Sequence, residues 1–330
     1  MEIRTFFRSK GDKIQGTLTL PDDINQPPIC LFVGGSFPQT RDGNLDNSQT
    51  DWFPVPLPER NIFKDEACLL EKIGIATFRY DKRGSGESEG DFNLTSLLDL
   101  LDDARNALQW LRNLPEIDET RIGVLGQSEG AYLALMLAAA EPSLSFYIWQ
   151  GGIYNNLETI LRWQTKEFWQ LDANTINNFK QNMPLVYWIY RQIDQIWSSV
   201  KQGHTYFKLG DDLWSKDFYL PLCKEHLDYP PSQFANQIKC PVLLLHGELD
   251  HNTPYTEALL MEKALIESGN NQVTTHIFPG LDHSFRRLGK PDEDFVTAMQ
   301  RPLDGIMSQV LVNWLETTIL SNFTQLGREN

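Results

Sequence analysis

The chain has 330 residues, enough for one large core or two modest ones. Its 41% hydrophobic and 22% charged residues are those of a globular protein and exclude a fibrous or disordered one. A formal net charge of −15 excludes the basic surface that nonspecific nucleic-acid binding or adhesion to anionic lipid requires.

In chain order, "IRTFFRS", "KGDK" and "IQGTLTLP" read as a β-hairpin that Pro21 ends, and "PICLFVGG" as a buried strand closed by Gly34 and Gly35. "NIFKDEACLLEKIG" spaces Ile62, Ala67, Leu70 and Ile73 as a helix, with Gly74 suited to its stop. "IATFRYD" is the next strand, and "SLLDLLDDARNALQWLRN" repeats Leu97, Leu101, Ala104, Leu108 and Leu111 on one helical face. A strand at "RIGVLG", an all-round apolar helix at "GAYLALMLAAAEP" and a strand at "LSFYIWQG" follow. Strand and helix alternate, which implies parallel strands covered by helices.

That rhythm breaks between about 152 and 235, where helical pieces and five of the nine tryptophans appear but no clear buried strand. It resumes with the strand "IKCPVLLLHGELD", the helix "TEALLMEKALIESG", the strand "VTTHIFPG" and a last helix near "IMSQVLVNWLETTIL". One α/β core with a mainly helical insertion explains this order better than two successive domains. Cys30, Cys68, Cys223 and Cys240 lie far apart without CxxC spacing, so reduced thiols are expected. "MEIRTFFRSKGDK" lacks an apolar signal core and no apolar run is long enough to span a bilayer. The expectation is a soluble, cytoplasmic protein.

"GQSEG", between the strand and the apolar helix, has the form Gly-x-Ser-x-Gly in the context that gives it meaning. Such a turn strains the serine and pushes its hydroxyl out above the sheet, while Gly126 and Gly130 provide steric clearance. Ser128 is the candidate nucleophile. A serine hydroxyl needs a base, and the base an orienting acid. His283, in the loop "FPGLDHSF" after a predicted strand, is the candidate base. His246 reads instead as a buried or turn-stabilising imidazole, His276 lies within a strand, and His204, His226 and His251 have no matching context. Asp250 follows a strongly apolar strand and is the candidate acid, with Glu248 as the local competitor. Asp282 is too near His283 in sequence for an easy approach to its ring. The order Ser, Asp, His suits a strand–elbow–helix architecture. For the oxyanion, the expected donors are the backbone amides of Glu129 and of Ser36, with Phe37 next. No metal-ligand spacing and no phosphate-binding glycine loop stands out.

With these residues, "RYDKRGSGESEG" and "GSFPQTRDGN", the chain resembles the α/β-hydrolase superfamily over essentially its full length. Within it the similarity is to bacterial serine esterases and to serine aminopeptidase-like or dienelactone hydrolase-like enzymes. Phe37 replaces the usual glycine of the second segment, and Gly34-Gly35 stand where His-Gly is usual. The resemblance implies a mostly parallel sheet flanked by helices, core parts at 1–151 and 236–330, a helical cap at 152–235, and no cofactor. The expected activity is hydrolysis of a carboxylic ester of a small to medium, partly apolar molecule. A thioesterase, an acyltransferase or an aminopeptidase would use the same three residues; a ligand-binding protein on an inactive hydrolase fold would not need them intact. Asp81 and Arg83 are expected to brace the chain rather than meet substrate.

Overall fold

Residues 2–19 fold as a hairpin of β1 (Glu2–Ser9) and β2 (Asp12–Thr19), with Phe7, Ile14 and Leu18 turned to the core at the period of two that a strand imposes. Lys10 and Gly11 form its two-residue turn, both with positive φ (51° and 94°), which matches the twist of the flanking strands. The protein is seen here as a computed structural model that describes residues 1–46, 48, 57–290, 293 and 295–321. Parts of both expected core segments, residues 47, 49–56, 291, 292, 294 and 322–330, lie outside the described residues.

From β3 (Ile29–Val33) the alternation continues through α1 (Ile62–Lys72), β4 (Ala76–Tyr80), α2 (Leu97–Leu111), β5 (Ile122–Gln127), α3 (Glu129–Ala140) and β6 (Tyr147–Gln150). The "SLLD" start of α2 is a capping box: Ser96 Oγ accepts from Asp99 N, and Asp99 Oδ2 accepts from Ser96 N at 2.9 Å. After β6 come α4 (Leu157–Phe168), α5 (Ala173–Asn182), α6 (Pro184–Arg191), α7 (Ile193–Lys201), β7 (Tyr206–Gly210), β8 (Ser215–Tyr219) and α8 (Pro221–Asp228). The chain then returns to the core with β9 (Val242–Gly247), α9 (Thr256–Glu267), β10 (Val273–Phe278), α10 (Phe295–Met299) and α11 (Gly305–Leu315). No helix among the described residues is long and apolar enough to cross a membrane.

The eight core strands lie in the order β1-β2-β4-β3-β5-β6-β9-β10, with β2 antiparallel to both neighbours and the rest parallel. Side chains leave each strand alternately, so Ile29, Leu31 and Val33 join the core under α2, α3 and α9 while Cys30 and Phe32 join the one under α1 and α11. A strand buried on both faces must be apolar throughout, which is why these segments read as continuous hydrophobic runs. The parallel part of the sheet begins at β3, moves outward to β4 and comes back across to β5. The ends of β3 and β5 are therefore adjacent, with Val33 opposite Gly126, and the loops leaving them diverge there.

The segment between β6 and β9 has its own apolar cluster, with Leu185, Trp188, Ile193, Ile196, Trp197 and Val200 among its buried members. The antiparallel ribbon β7–β8 adds two short strands to this otherwise helical stretch. Its strands are half exposed and interrupted by Lys208, Lys216 and Asp217, so they carry no buried-strand signature.

Candidate active site

β5 passes into α3 through a single residue, Ser128, whose backbone sits at φ 59° and ψ −123°. A side chain in that region costs of order ~1–3 kcal/mol, so the surroundings must enforce it. They do so from a neighbouring strand and from the helix: Ser128 N donates to Gln150 O of β6 at 2.8 Å, and Ser128 O accepts from Ala131 N of α3 at 3.0 Å. A Cβ on Gly130 would overlap the Val33 carbonyl oxygen, and one on Gly126 would overlap the Gly130 carbonyl. These two glycines allow β3, β5 and α3 to approach as closely as the turn demands. Every residue from Glu129 to Ala138 is buried, which anchors the helix behind the serine.

The loop after β9 brings Asp250, and the loop after β10 brings His283, to the same edge of the sheet. His283 Nδ1 lies 2.6 Å from Asp250 Oδ2. Asp250 Oδ1 accepts from the amides of Asn252 and Thr253, both at 2.8 Å, and Oδ2 from Thr253 Oγ1 at 3.0 Å. His246 Nε2 is 3.1 Å from the same Oδ2, so the buried imidazole expected in "LLLHGELD" also faces the acid. Burial alone would raise the Asp250 pKa, but His283, His246 and these donors hold it far below the usual carboxylate range. Glu248 is exposed and accepts from Gly280 N, while Asp282 is occupied by the amides of Ser284 and Arg286 in its own turn. Gln127 Nε2 donates to His283 O at 3.3 Å, tying the histidine loop to the residue before Ser128. Among the described residues no hydrogen bond joins Ser128 Oγ to the His283 ring.

On the other side of Ser128 runs the loop after β3. Ser36 N and Glu129 N donate to no acceptor among the described residues, while Phe37 takes a left-handed φ of 69° at the position where the family usually has glycine. Below this loop lie buried charges that the sequence reading missed. Lys82 Nζ donates to Gly35 O at 2.6 Å and to Glu129 Oε2 at 3.1 Å, and His226 Nε2 of α8 stands 3.2 Å from Glu129 Oε1. Burial would raise the Glu129 pKa, yet Lys82 and His226 hold it at about 2. The sequence signal was a lysine inside "DKRG" and a glutamate inside "GQSEG", two motifs that local reading treats separately. Asp81 and Arg83 brace the chain as expected: Asp81 accepts from Arg41 and from Glu87 N, and Arg83 pairs with Asp103 and Asp12.

The family described as "Serine aminopeptidase, S33" matches residues 61–287 of this chain. Among curated proteins, "Esterase EstD" of Thermotoga maritima is 24% identical over 270 residues, which cover 82% of this chain and 57% of that protein. "Esterase FrsA" of Klebsiella pneumoniae is 31% identical over 134 residues, covering 40% of this chain and 27% of that protein. The chain thus spans little more than half the length of the first of these relatives and about a quarter of the second. Est1E from Butyrivibrio proteoclasticus, solved with ferulic acid, superposes with a TM-score of 0.61 at 15% identity, covering 96% of this chain and 99% of that one. The Pyrococcus furiosus esterase Pf2001 does so with 0.61 at 15% identity, covering 97% and 91%. The expected fold is met by these likenesses and by the strand order. With the family match covering more than half of its residues, the chain belongs to the serine aminopeptidase S33 family of α/β hydrolases.

Proposed function

We propose that this protein is a serine hydrolase that cleaves a carboxylic ester of a small to medium, partly apolar molecule through Ser128, His283 and Asp250. His283 Nε2 takes the Ser128 proton as Oγ attacks the ester carbonyl, and Asp250 accepts from Nδ1 to steady the resulting imidazolium. The tetrahedral oxyanion receives hydrogen bonds from the amides of Ser36 and Glu129. His283 then returns the proton to the departing alcohol. An acyl-enzyme on Ser128 is left, which water hydrolyses by the same route. The observation that carries this reading is the 2.6 Å contact of His283 Nδ1 with Asp250 beside a serine held at φ 59° between two glycines.

An aminopeptidase would need a carboxylate free to hold the substrate's amine. Glu129 cannot serve, because Lys82 and His226 already occupy its carboxylate, and this favours the ester reading. Residues 152–235 act as a lid over the acyl group. Two contacts support that placement: Gln164 Nε2 of α4 donates to Asn252 O beside Asp250 at 2.5 Å, and His226 of α8 reaches Glu129 beside Ser128.

The test is labelling by a fluorophosphonate together with turnover of a p-nitrophenyl ester. Ser128→Ala should abolish both, a loss that reaches ~10⁶ in kcat for an intact triad. Asp250→Asn should cost on the order of 10⁴ with the fold retained. Labelling that persists without Ser128, or a mild Asp250→Asn beside a damaging Glu248→Gln, would overturn the assignment. A properly folded parent that neither labels nor turns over any ester would indicate a binding protein instead.

A further inference from the structure

Two amide hydrogens must aim at one point to hold an oxyanion, and an amide turns away only by rotating its whole peptide plane. The plane carrying Ser36 N–H also carries the Gly35 carbonyl, pointing the opposite way across a trans bond. That carbonyl is held by Lys82 Nζ at 2.6 Å. The following plane is held as well: Gln39 Nε2 donates to Ser36 O at 2.8 Å, and Gln39 O accepts from Lys82 N at 3.0 Å. A side chain at Gly34 would lie 3.6 Å from the Lys82 stem, whereas one at Gly35 would come within 3.0 Å of Ser128 Cβ. The loop is thus sandwiched between Lys82 and the nucleophile.

We propose that Lys82 is a positioning residue for the oxyanion hole. Its ammonium fixes the Gly35–Ser36 peptide plane so that Ser36 N–H faces the Ser128 hydroxyl, and Glu129 holds that ammonium in place. The inference rests on the serine-hydrolase reading above. A lysine side chain only 3% exposed needs a counter-charge, and Glu129 supplies it at 3.1 Å. Glu129 therefore touches both donors: its own N–H is one, and its carboxylate steers the other through Lys82. His226, on α8, holds the second carboxylate oxygen and links the arrangement to the segment between β6 and β9.

Any single substitution of Lys82 would also strand the buried Glu129 carboxylate, so the experiment removes the ion pair in both Lys82 variants and varies only the donor to Gly35 O. The parent, Ser128→Ala, the double variant Lys82→Met/Glu129→Gln and the double variant Lys82→Gln/Glu129→Gln are compared for kcat, KM and Tm on p-nitrophenyl acetate. Met cannot donate, so its pair should lose ~10²–10³ in kcat, the cost of one oxyanion donor, with KM little changed. Gln donates from a shorter stem, so its pair should lose about tenfold in kcat. Equal losses in the two pairs, a loss carried by KM, or kcat within threefold of the parent would overturn the proposal. Should the Met-bearing pair fail to fold, the Gln-bearing pair decides by the same threefold limit. If the parent itself shows no Ser128-dependent turnover, the hydrolase reading fails and this inference with it. If the parent depends on Ser128 but ignores Lys82, only this inference fails.

Discussion

Glu66 and Glu129 are both buried glutamates, and their surroundings drive them to opposite protonation states. Glu66 on α1 accepts from Gln150 Nε2 at 2.6 Å with one oxygen, and its other oxygen has no partner among the described residues. Burial raises its pKa from the ordinary 4.5 to about 8, against the lowering effect of Gln150 and Arg286. The folded protein therefore keeps this carboxyl neutral at pH 7 while the unfolded chain ionises it. Its stabilisation is complete below pH 4.5 and is lost as pH rises through about 8. Glu66→Gln keeps shape and acceptor but cannot ionise, so its Tm should exceed the parent's by an amount that grows from pH 5 to pH 8. The gain should approach ~2–4 kcal/mol at the upper end. A Tm difference that stays constant across that range would show that Glu66 is not held neutral. Glu129 has the reverse sign: with a pKa near 2 its contribution is present above 4.5 and fades only as pH falls toward 2.

The elbow joins β3, β5 and α3 as one unit, because the backbone of each element occupies the space a side chain on another would need. Gly130→Ala would press a methyl group on the Val33 carbonyl, and neither backbone can yield without moving the loop that carries Ser36. Overpacking of this kind costs about 1–3 kcal/mol. Because Ser36 and Glu129 would also be spread apart, kcat should fall at least ~10-fold, beyond what the Tm loss explains, if one oxyanion hydrogen bond lengthens. Thermal melts and ester kinetics on the same preparation test this. A Gly130→Ala protein that melts and turns over like the parent would mean that the contact relaxes elsewhere. The β7–β8 ribbon shows the opposite kind of element, one whose strands pair with each other and pack by a single face. Nothing in its composition needed to be continuously apolar.

Across the whole molecule, the segment between β6 and β9 divides into two parts. From α4 to β8 it packs largely around its own cluster of Trp188, Trp197 and aliphatic neighbours. From α8 onward it leans on the core: Glu225 accepts from Leu98 N at 2.9 Å, Tyr132 Oη bonds Tyr229 O, and Ala235 belongs to the main apolar cluster. Replacing residues 157–219 by a short linker should leave the His226–Glu129 contact intact while removing most of the proposed lid. Small fluorophosphonates should still label Ser128, but the dependence of kcat/KM on acyl length should flatten. Each methylene buried under the lid is worth ~0.8 kcal/mol, about fourfold per step. Parallel profiles for parent and shortened protein, with folding verified by circular dichroism, would show that the segment does not select substrate.

The amino-acid sequence by itself determined the alternation of strands and helices, the strained serine turn and the identities of Asp250 and His283 as candidates. Each of these is a local demand: a buried strand must be apolar, a crowded turn must have glycine, and a loop residue after a strand stands at the sheet's edge. Only the tertiary structure decided that Asp250 rather than Glu248 meets His283, because two residues of separation turn one carboxylate inward and the other to solvent. It likewise decided that Lys82, Glu129 and His226, from three distant segments, share one buried site beneath the Ser36 loop. Charges of that kind leave no periodic trace in a sequence. Their partners are set by how strands and helices stack, and burial then makes each pairing obligatory.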